Sequence, residues 1–359
     1  MCTTSSSKMY VVDPVTESTF AAEGQSTSQH WRSIVLFGSN VASYKFALAK
    51  ALLEIAASDR NLISLEELAV PFSRHVCEHL KEVDRQGTFE HSRFLDGCRF
   101  FNAGRISANE LVELTVLLGF NNVLDAFHNV RSQKVPTQFF VDERTTHGGI
   151  QLTNDMFGLA EAATCMDLIG ETESRWRLVE SAWAGRATGD QVTVLYDSPH
   201  ELLVSALKGH RRPITEIRPA LNGYQKGHCF YCRQPISFTS LDAGAPVDVD
   251  HFFGHVLMSR GLAVDLDVPW NLVLACQDCN RGVAGKGPRL PHPDYLKRLW
   301  DRNEYLIASN HPLRETLIAT TGADPEQRWT FLTSVLSESE PLAGSAKEWR
   351  APTNASTTI

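Results

Sequence analysis

The first half of the chain is written in a helical period. Between positions 44 and 57 the apolar residues Phe46, Ala47, Leu48, Ala51, Leu52, Ile55 and Ala56 return every three to four places, which predicts one amphipathic helix. Ser64-Leu-Glu-Glu67 opens a second, expected to reach Val83. A serine three residues ahead of a glutamate is the spacing of a capping box, in which each side chain satisfies the other residue's backbone N–H. Ser107-Ala-Asn-Glu110 repeats that signature before Leu111, Leu114, Thr115 and Leu118, with Gly119 where a C-terminal cap belongs. Weaker periodicity predicts helices over 91–101, 122–131, 153–168 and 172–184, and short strands over 138–141, 150–152 and 192–196. Gly148-Gly149 reads as a turn, and neither an internal repeat nor a glycine-rich phosphate loop is present.

Beyond Asp197 the pattern changes. A helix is expected over 212–224, with Pro213 in its first turn. Val247-Asp-Val-Asp250 alternates apolar and acidic residues as a half-buried strand does, and delivers Asp250 and His251 at its end. Asn271-Leu-Val-Leu-Ala275 is a second strand, and 276–280 turns into a helix. Further helices are expected over 293–309, 313–321 and 325–337, the last opened by Asp324-Pro325-Glu326. The two ends are rich in Ser, Thr, Ala and Glu without any period. The expected fold class is therefore α+β: a mainly helical region over 30–200, a smaller mixed region over 207–337, and disordered ends at 1–29 and 338–359.

Composition narrows the class. With 359 residues, 43% apolar and 21% charged, the chain can bury a sizeable core and is neither fibrous nor disordered as a whole. Its apolar runs are too short to span a bilayer and its Ser/Thr-rich start is not a secretory signal, so a cytoplasmic protein without a membrane partner is expected. A net charge of -8 argues against nonspecific coating of nucleic acid. The charge is unevenly spread, however: 207–320 holds 14 Lys+Arg against 11 Asp+Glu, and the remainder 20 against 31.

The chemistry concentrates in that less acidic stretch. Of the eight cysteines, Cys2, Cys77, Cys98 and Cys165 are isolated and read as small buried thiols in a reducing compartment. The other four form two pairs, Cys229-Phe-Tyr-Cys232 and Cys276-Gln-Asp-Cys279, and four thiolates so spaced can close a tetrahedral zinc site. Alone they favour a zinc ribbon used only for binding. Between and beside the pairs lie Asp250-His251, Asn271 and Asn280, a base with hard-metal ligands, which is what phosphodiester hydrolysis needs: an activated water and positive charge on the phosphate.

In this order, the cysteine pairs, Asp250-His251, Trp270-Asn271-Leu272 and Cys279-Asn280 resemble an HNH endonuclease, a ββα-metal (His-Me finger) domain braced by a four-cysteine zinc site. The resemblance covers Tyr224 to Arg289, about a fifth of the chain, and the flanks resemble bacterial stand-alone HNH proteins. It implies that Cys229, Cys232, Cys276 and Cys279 hold a structural zinc, and that Asp250 and Asn280 coordinate a catalytic divalent ion, most simply magnesium. It further implies that His251 is the general base and that Asn271 hydrogen-bonds the loop carrying it, the strand breaking so that Asp250 and His251 converge. DNA is the implied substrate and restriction or antiphage defence the associated setting, with the helical region open to a protein partner or regulatory ligand. Two departures stand out: Val283 replaces the lysine many such motifs carry three residues after the last asparagine, and Ala284 replaces a histidine ligand found in some. Lys286 and Arg281 are the candidate phosphate contacts; Arg289, Arg298 and Arg302 read as a solvated helix face, Trp270, Phe252 and Phe253 as core, and His255 as a loop residue.

Overall fold

The computed structural model describes residues 26–58, 60–89, 91–131, 133–187, 193–207, 210–240, 242–309, 312–344 and 348–352. Helix α1 (Thr27–Phe37) begins inside the segment expected to be disordered, because its apolar residues have two cores to enter: Trp31, Ile34 and Val35 join one, Leu36 and Phe37 the other. The rest of the expected N-terminal tail, 1–25, lies outside the described residues. Helix α2 (Tyr44–Ala56) is the amphipathic helix the spacing predicts, and it packs against α3 (Leu65–Glu82), which follows the short strand β1 (Leu62–Ser64). Both capping boxes form: Ser64 and Glu67 bond each other's backbone N–H at 3.2 and 3.0 Å, and Ser107 and Glu110 do the same at the start of α5 (Ala108–Leu114). Between them runs α4 (Arg93–Asn102), and α5 continues as a π turn over Thr115–Gly119.

The helix expected over 122–131 is cut to one turn, α6 (Val123–Ala126), and gives way to a hairpin of β2 (Asn129–Val130) and β3 (Gln133–Lys134). Tertiary bonding overrides the period there. The His128 ring accepts the Phe139 N–H at 2.9 Å, its carbonyl accepts that of Val135, and Arg131 takes a left-handed φ of 49° in the turn. Strands β4 (Phe140–Glu143) and β5 (Gly149–Leu152) then complete a sheet in the order β1-β5-β4. Gly149 is required at the join, since a Cβ there would stand 2.0 Å from the Ile63 carbonyl oxygen. Helices α7 (Asn154–Glu161) and α8 (Cys165–Ala187) close this half.

The helix expected over 212–224 starts five residues late. Residues before it belong to an antiparallel meander of β6 (Thr193–Asp197), β7 (Leu202–Leu207) and β8 (His210–Glu216), and the helix proper is α9 (Ile217–Gln225). Pro213 sits in the edge strand, opposite Val204 and beside a shift in register, where a missing N–H is tolerated. Next come β9 (Ile236–Ser237), β10 (Ala245–His251), α10 (Val256–Ser259), β11 (Leu272–Cys276) and α11 (Gln277–Asn280). They form a sheet ordered β11-β10-β9, antiparallel between β10 and β11. Helices α12 (Asp294–Ala308), α13 (Pro312–Thr321) and α14 (Pro325–Leu342) follow. The expected C-terminal tail is in part ordered. Helix α14 runs past Ser337, and Trp349, buried against the Tyr231 ring at 4.9 Å, donates its indole N–H to the Ala284 carbonyl.

The position expected as a domain seam, 200–207, lies in the β6-β7-β8 meander, and the two hydrophobic cores share α1 and α8 as a common wall. Buried polar groups cross that wall. The Arg32 guanidinium holds Glu171 at 2.8 and 2.9 Å, and Asn222 of α9 donates to the same carboxylate. Arg175 donates to the carbonyls of Leu36 and Ser309, so a single cation ties both halves. Among the described residues, no helix is long and apolar enough to cross a membrane.

Candidate metal centre and the histidine beside it

The two cysteine pairs arrive from different directions. Cys229 and Cys232 sit on a turn after α9, and Cys276 and Cys279 on the junction of β11 with α11. All four Sγ atoms lie within 4.8 Å of one another, with Cys232 and Cys276 at 3.7 Å. Tetrahedral coordination at a Zn–S length of ~2.3 Å requires S···S edges of about 3.8 Å, so the four thiols fit a structural zinc. The first turn is anchored to the sheet through Phe230, whose N–H donates to the Leu274 carbonyl, and the Cys276 N–H points at the Cys229 sulfur at 3.3 Å. Hydrogen bonds from the thiols of Cys232, Cys276 and Cys279 push the Cys229 thiol strongly toward thiolate.

Strand β10 carries the acidic residues. Asp248 and Asp250, two apart, share one face. Asp250 is 7% exposed; its carboxylate accepts the Tyr231 hydroxyl at 2.6 Å and meets the Lys286 ammonium at 3.2 Å. Burial raises its pKa, against the opposing pull of Lys286 and Tyr231. Asp248 accepts from the Asn280 amide at 3.1 Å and pairs with the exposed Arg281 at 2.9 Å. The Asn280 Nδ2 is drawn to that carboxylate, which leaves its Oδ1 without a partner among the described residues.

His251 turns the other way. Its Nε2 lies 2.7 Å from Asp267, its ring stands edge-on to Tyr196 at 6.2 Å, and Nδ1 has no hydrogen-bond partner among the described residues. The strand break expected to make it converge with Asp250 is absent between the two. The β10–β11 ladder continues through His251 opposite Leu272, because both backbones stay paired, and the chain bends only at Phe252 and Phe253. There Asn271, 0% exposed, grips the chain: its Oδ1 accepts the Phe253 N–H at 2.9 Å and its Nδ2 donates to the carbonyls of Phe253 and Leu266, each at 3.0 Å. Trp270, Phe252 and Phe253 are buried core. His255 reaches the second oxygen of Asp267 at 3.2 Å and is largely exposed.

The basic residues depart from expectation. Lys286 does not face solvent: 1% exposed, its ammonium donates to the carbonyls of His251 and Gly287 at 3.0 and 3.1 Å besides meeting Asp250. Helix α11 stops after one turn and folds back, with the Lys286 N–H on the Cys279 carbonyl; a Cβ on Gly285 would press on the Gly282 nitrogen at 2.7 Å. Arg298 and Arg302 are not a solvated face. Arg298 donates to the carbonyls of Phe230 and Tyr231, and Arg302 to those of Pro269 and Trp270, so α12 braces the cysteine-framed unit from behind. Arg289 holds the carbonyls of Ala284, Gly285 and Lys286. Only Arg281, 64% exposed at its side chain, keeps the outward position expected of a phosphate contact.

Asp248, Asp267, Tyr231 and Gln225 take part without having been singled out by sequence. Gln225 clamps β11 by donating to the Leu274 carbonyl and accepting its N–H, at 2.8 and 2.6 Å. Asp248 had a signal in the alternation of β10; Asp267 and Gln225 had none, since loop carboxylates and helix-end amides are common. No family model matches this chain, nor does any curated protein or solved structure.

Proposed function

We propose that the chain is a metal-dependent endonuclease of the HNH type, hydrolysing phosphodiester bonds in DNA, with restriction or antiphage defence as its setting. The observation that carries the reading is the state of His251: its ring is held through Nε2 while Nδ1 stays open, inside a β10–β11–α11 unit framed by four convergent cysteines and carrying Asp250 and Asn280. Cys229, Cys232, Cys276 and Cys279 would hold structural zinc. Asp250 and Asn280 would hold a magnesium ion, since each Asp250 oxygen keeps a lone pair beyond its one partner and the Asn280 Oδ1 is open. Bound there, the ion would supply positive charge at the phosphate. His251 takes the proton of the attacking water at Nδ1, Asn271 keeps the loop behind it in place, and Arg281 meets the phosphate backbone.

A second reading, a zinc module that binds nucleic acid or a protein without cutting, is favoured by Lys286, whose ammonium already serves Asp250 as its cation. One experiment separates the two. The zinc-loaded full chain is incubated with plasmid, single-stranded DNA and RNA in magnesium, manganese, nickel or chelator, beside His251→Ala. Metal-dependent nicking that His251→Ala abolishes is the expected result. Cleavage by His251→Ala at the wild-type rate overturns the mechanism, and absence of cleavage with retained binding establishes the second reading.

A further inference from the structure

We infer that Asp267 is a positioning residue for His251, fixing which ring nitrogen carries the proton; the inference rests on the nuclease reading for its catalytic consequence but not for its geometry. A carboxylate accepts hydrogen bonds and donates none, so the His251 Nε2 at 2.7 Å from Asp267 Oδ1 must carry hydrogen. In the neutral imidazole that places the lone pair on Nδ1, the nitrogen left open. His255 does the same to the other oxygen at 3.2 Å, so one carboxylate bridges the two rings.

The alignment is built in from the backbone. Asp267 sits in the loop between α10 and β11, its own N–H donating to Asp265 at 2.9 Å, and its neighbours Leu266 and Val268 are buried. Asn271 donates to the Leu266 carbonyl on the Asp267 side and bonds both backbone groups of Phe253 on the His251 side. One buried amide therefore sets the distance between the loop that bears the carboxylate and the strand end that bears the imidazole. The Tyr196 ring, edge-on at 6.2 Å, closes a further side of the histidine. Nothing in the spacing of the motif marks Asp267, sixteen residues beyond His251; the fold supplies the pairing.

The test uses the full, zinc-loaded chain labelled with 15N-histidine, recorded above the imidazole titration range so that the neutral tautomers are read directly. Long-range 1H–15N correlations, with the His251 signals assigned by their loss in His251→Gln, are expected to show the Nε2–H tautomer in the wild type and a mixture in Asp267→Ala. Asp267→Asn, whose amide oxygen still accepts, is expected to restore the tautomer. On plasmid, Asp267→Ala is expected to lower kcat by roughly tenfold or more with KM unchanged, within the ~10²–10⁴-fold a general base contributes, and Asp267→Asn to recover part of the loss. A wild-type His251 in the Nδ1–H form, an Asp267→Ala variant with an unchanged tautomer, or unchanged kcat in a chain that cleaves overturns the inference. The wild-type spectrum needs no variant, so the question stays decidable if Asp267→Ala does not fold. If the wild type cleaves nothing, the nuclease reading falls while the spectrum still decides the role of Asp267.

Discussion

In the helical half, α2 buries Phe46, Ala47, Leu48, Ala49, Ala51, Leu52 and Leu53 against α3 and α8, and its backbone needs no help from side chains. In the cysteine-framed half, backbone groups are held by polar side chains instead: Leu274 by Gln225, Phe253 by Asn271, Phe230 and Tyr231 by Arg298, Trp270 by Arg302, His251 by Lys286. The cause is the length of the elements. A helix pairs its own N–H and C=O groups, whereas β9 has two residues, β11 five and α11 four, so the irregular chain between them carries buried groups that must find partners elsewhere. Side chains that can hydrogen-bond are spent as scaffold there, and the same clamps hold His251 and Asp250 in place.

Metal removal tests this contrast most severely. A metal held by the four cysteines would tie the turn after α9 to the β11–α11 junction, so stripping it is expected to remove on the order of 10 kcal/mol from the cysteine-framed half, and Cys279→Ser a part of that. Hydrogen exchange should then show β10 and β11 losing protection while α2 and α3 keep theirs. Joint unfolding of both halves would show that the shared wall of α1 and α8 couples them into one cooperative unit.

A single clamp is the next test. Asn271→Ala deletes three buried hydrogen bonds and leaves the backbone of Phe253 and Leu266 unpaired; at about 1 kcal/mol for each bond and more for each orphaned group, a loss of roughly 3–5 kcal/mol is expected in urea unfolding. Leu52→Ala, at a fully buried position of α2, is expected to cost about 2–5 kcal/mol by leaving a cavity. Equal costs from a polar and an apolar deletion would confirm that the halves reach similar stability by different means. A near-neutral Asn271→Ala would break the comparison.

A buried polar cluster of the helical half, around His79, responds to pH. The His79 ring stacks on Trp176 at 3.5 Å and bonds Glu180 at 2.8 Å and Glu173 at 3.2 Å. Desolvation alone would lower its pKa, but the two carboxylates together raise it. A raised folded-state pKa means that this contribution is fully present below the unfolded value near ~6.5 and is lost as pH rises through the folded value. The unfolding free energy read from urea titrations should therefore fall as pH rises above ~6.5, by about 1.4 kcal/mol for each unit separating the two pKa values. His79→Gln should be flat over that window. A wild type equally flat would show that His79 gains nothing from its partners.

How much of this was legible follows the same divide. The capping serines at 64 and 107 and the period of α2 announce themselves because helix signals are local, and the alternation ending in Asp250 places β10 for the same reason. Local pattern misleads where distant groups decide: Arg212-Pro213 looks like a helix start until β7 pairs with it, and Arg298 and Arg302 look solvated until the carbonyls they hold are placed behind them. Lys286 misleads for the same reason, since its burial depends on a fold-back no spacing encodes.

Arg281 offers the smallest effect and the sharpest separation of scaffold from function. Its pairing with Asp248 is exposed on the arginine side, and an exposed ion pair contributes ~0–1 kcal/mol, so Arg281→Ala should leave the urea midpoint almost unchanged. Arg298→Ala, by contrast, uncaps the carbonyls of Phe230 and Tyr231 and should be felt in stability. If Arg281 meets a phosphate, removing it weakens binding to all duplex sequences alike and lowers the slope of log K against log salt by roughly 0.9, one counterion fewer released. A titration of duplex DNA at several salt concentrations reads this directly. An unchanged slope would mean that Arg281 serves only Asp248, and that every arginine from 281 to 302 in this half belongs to the scaffold.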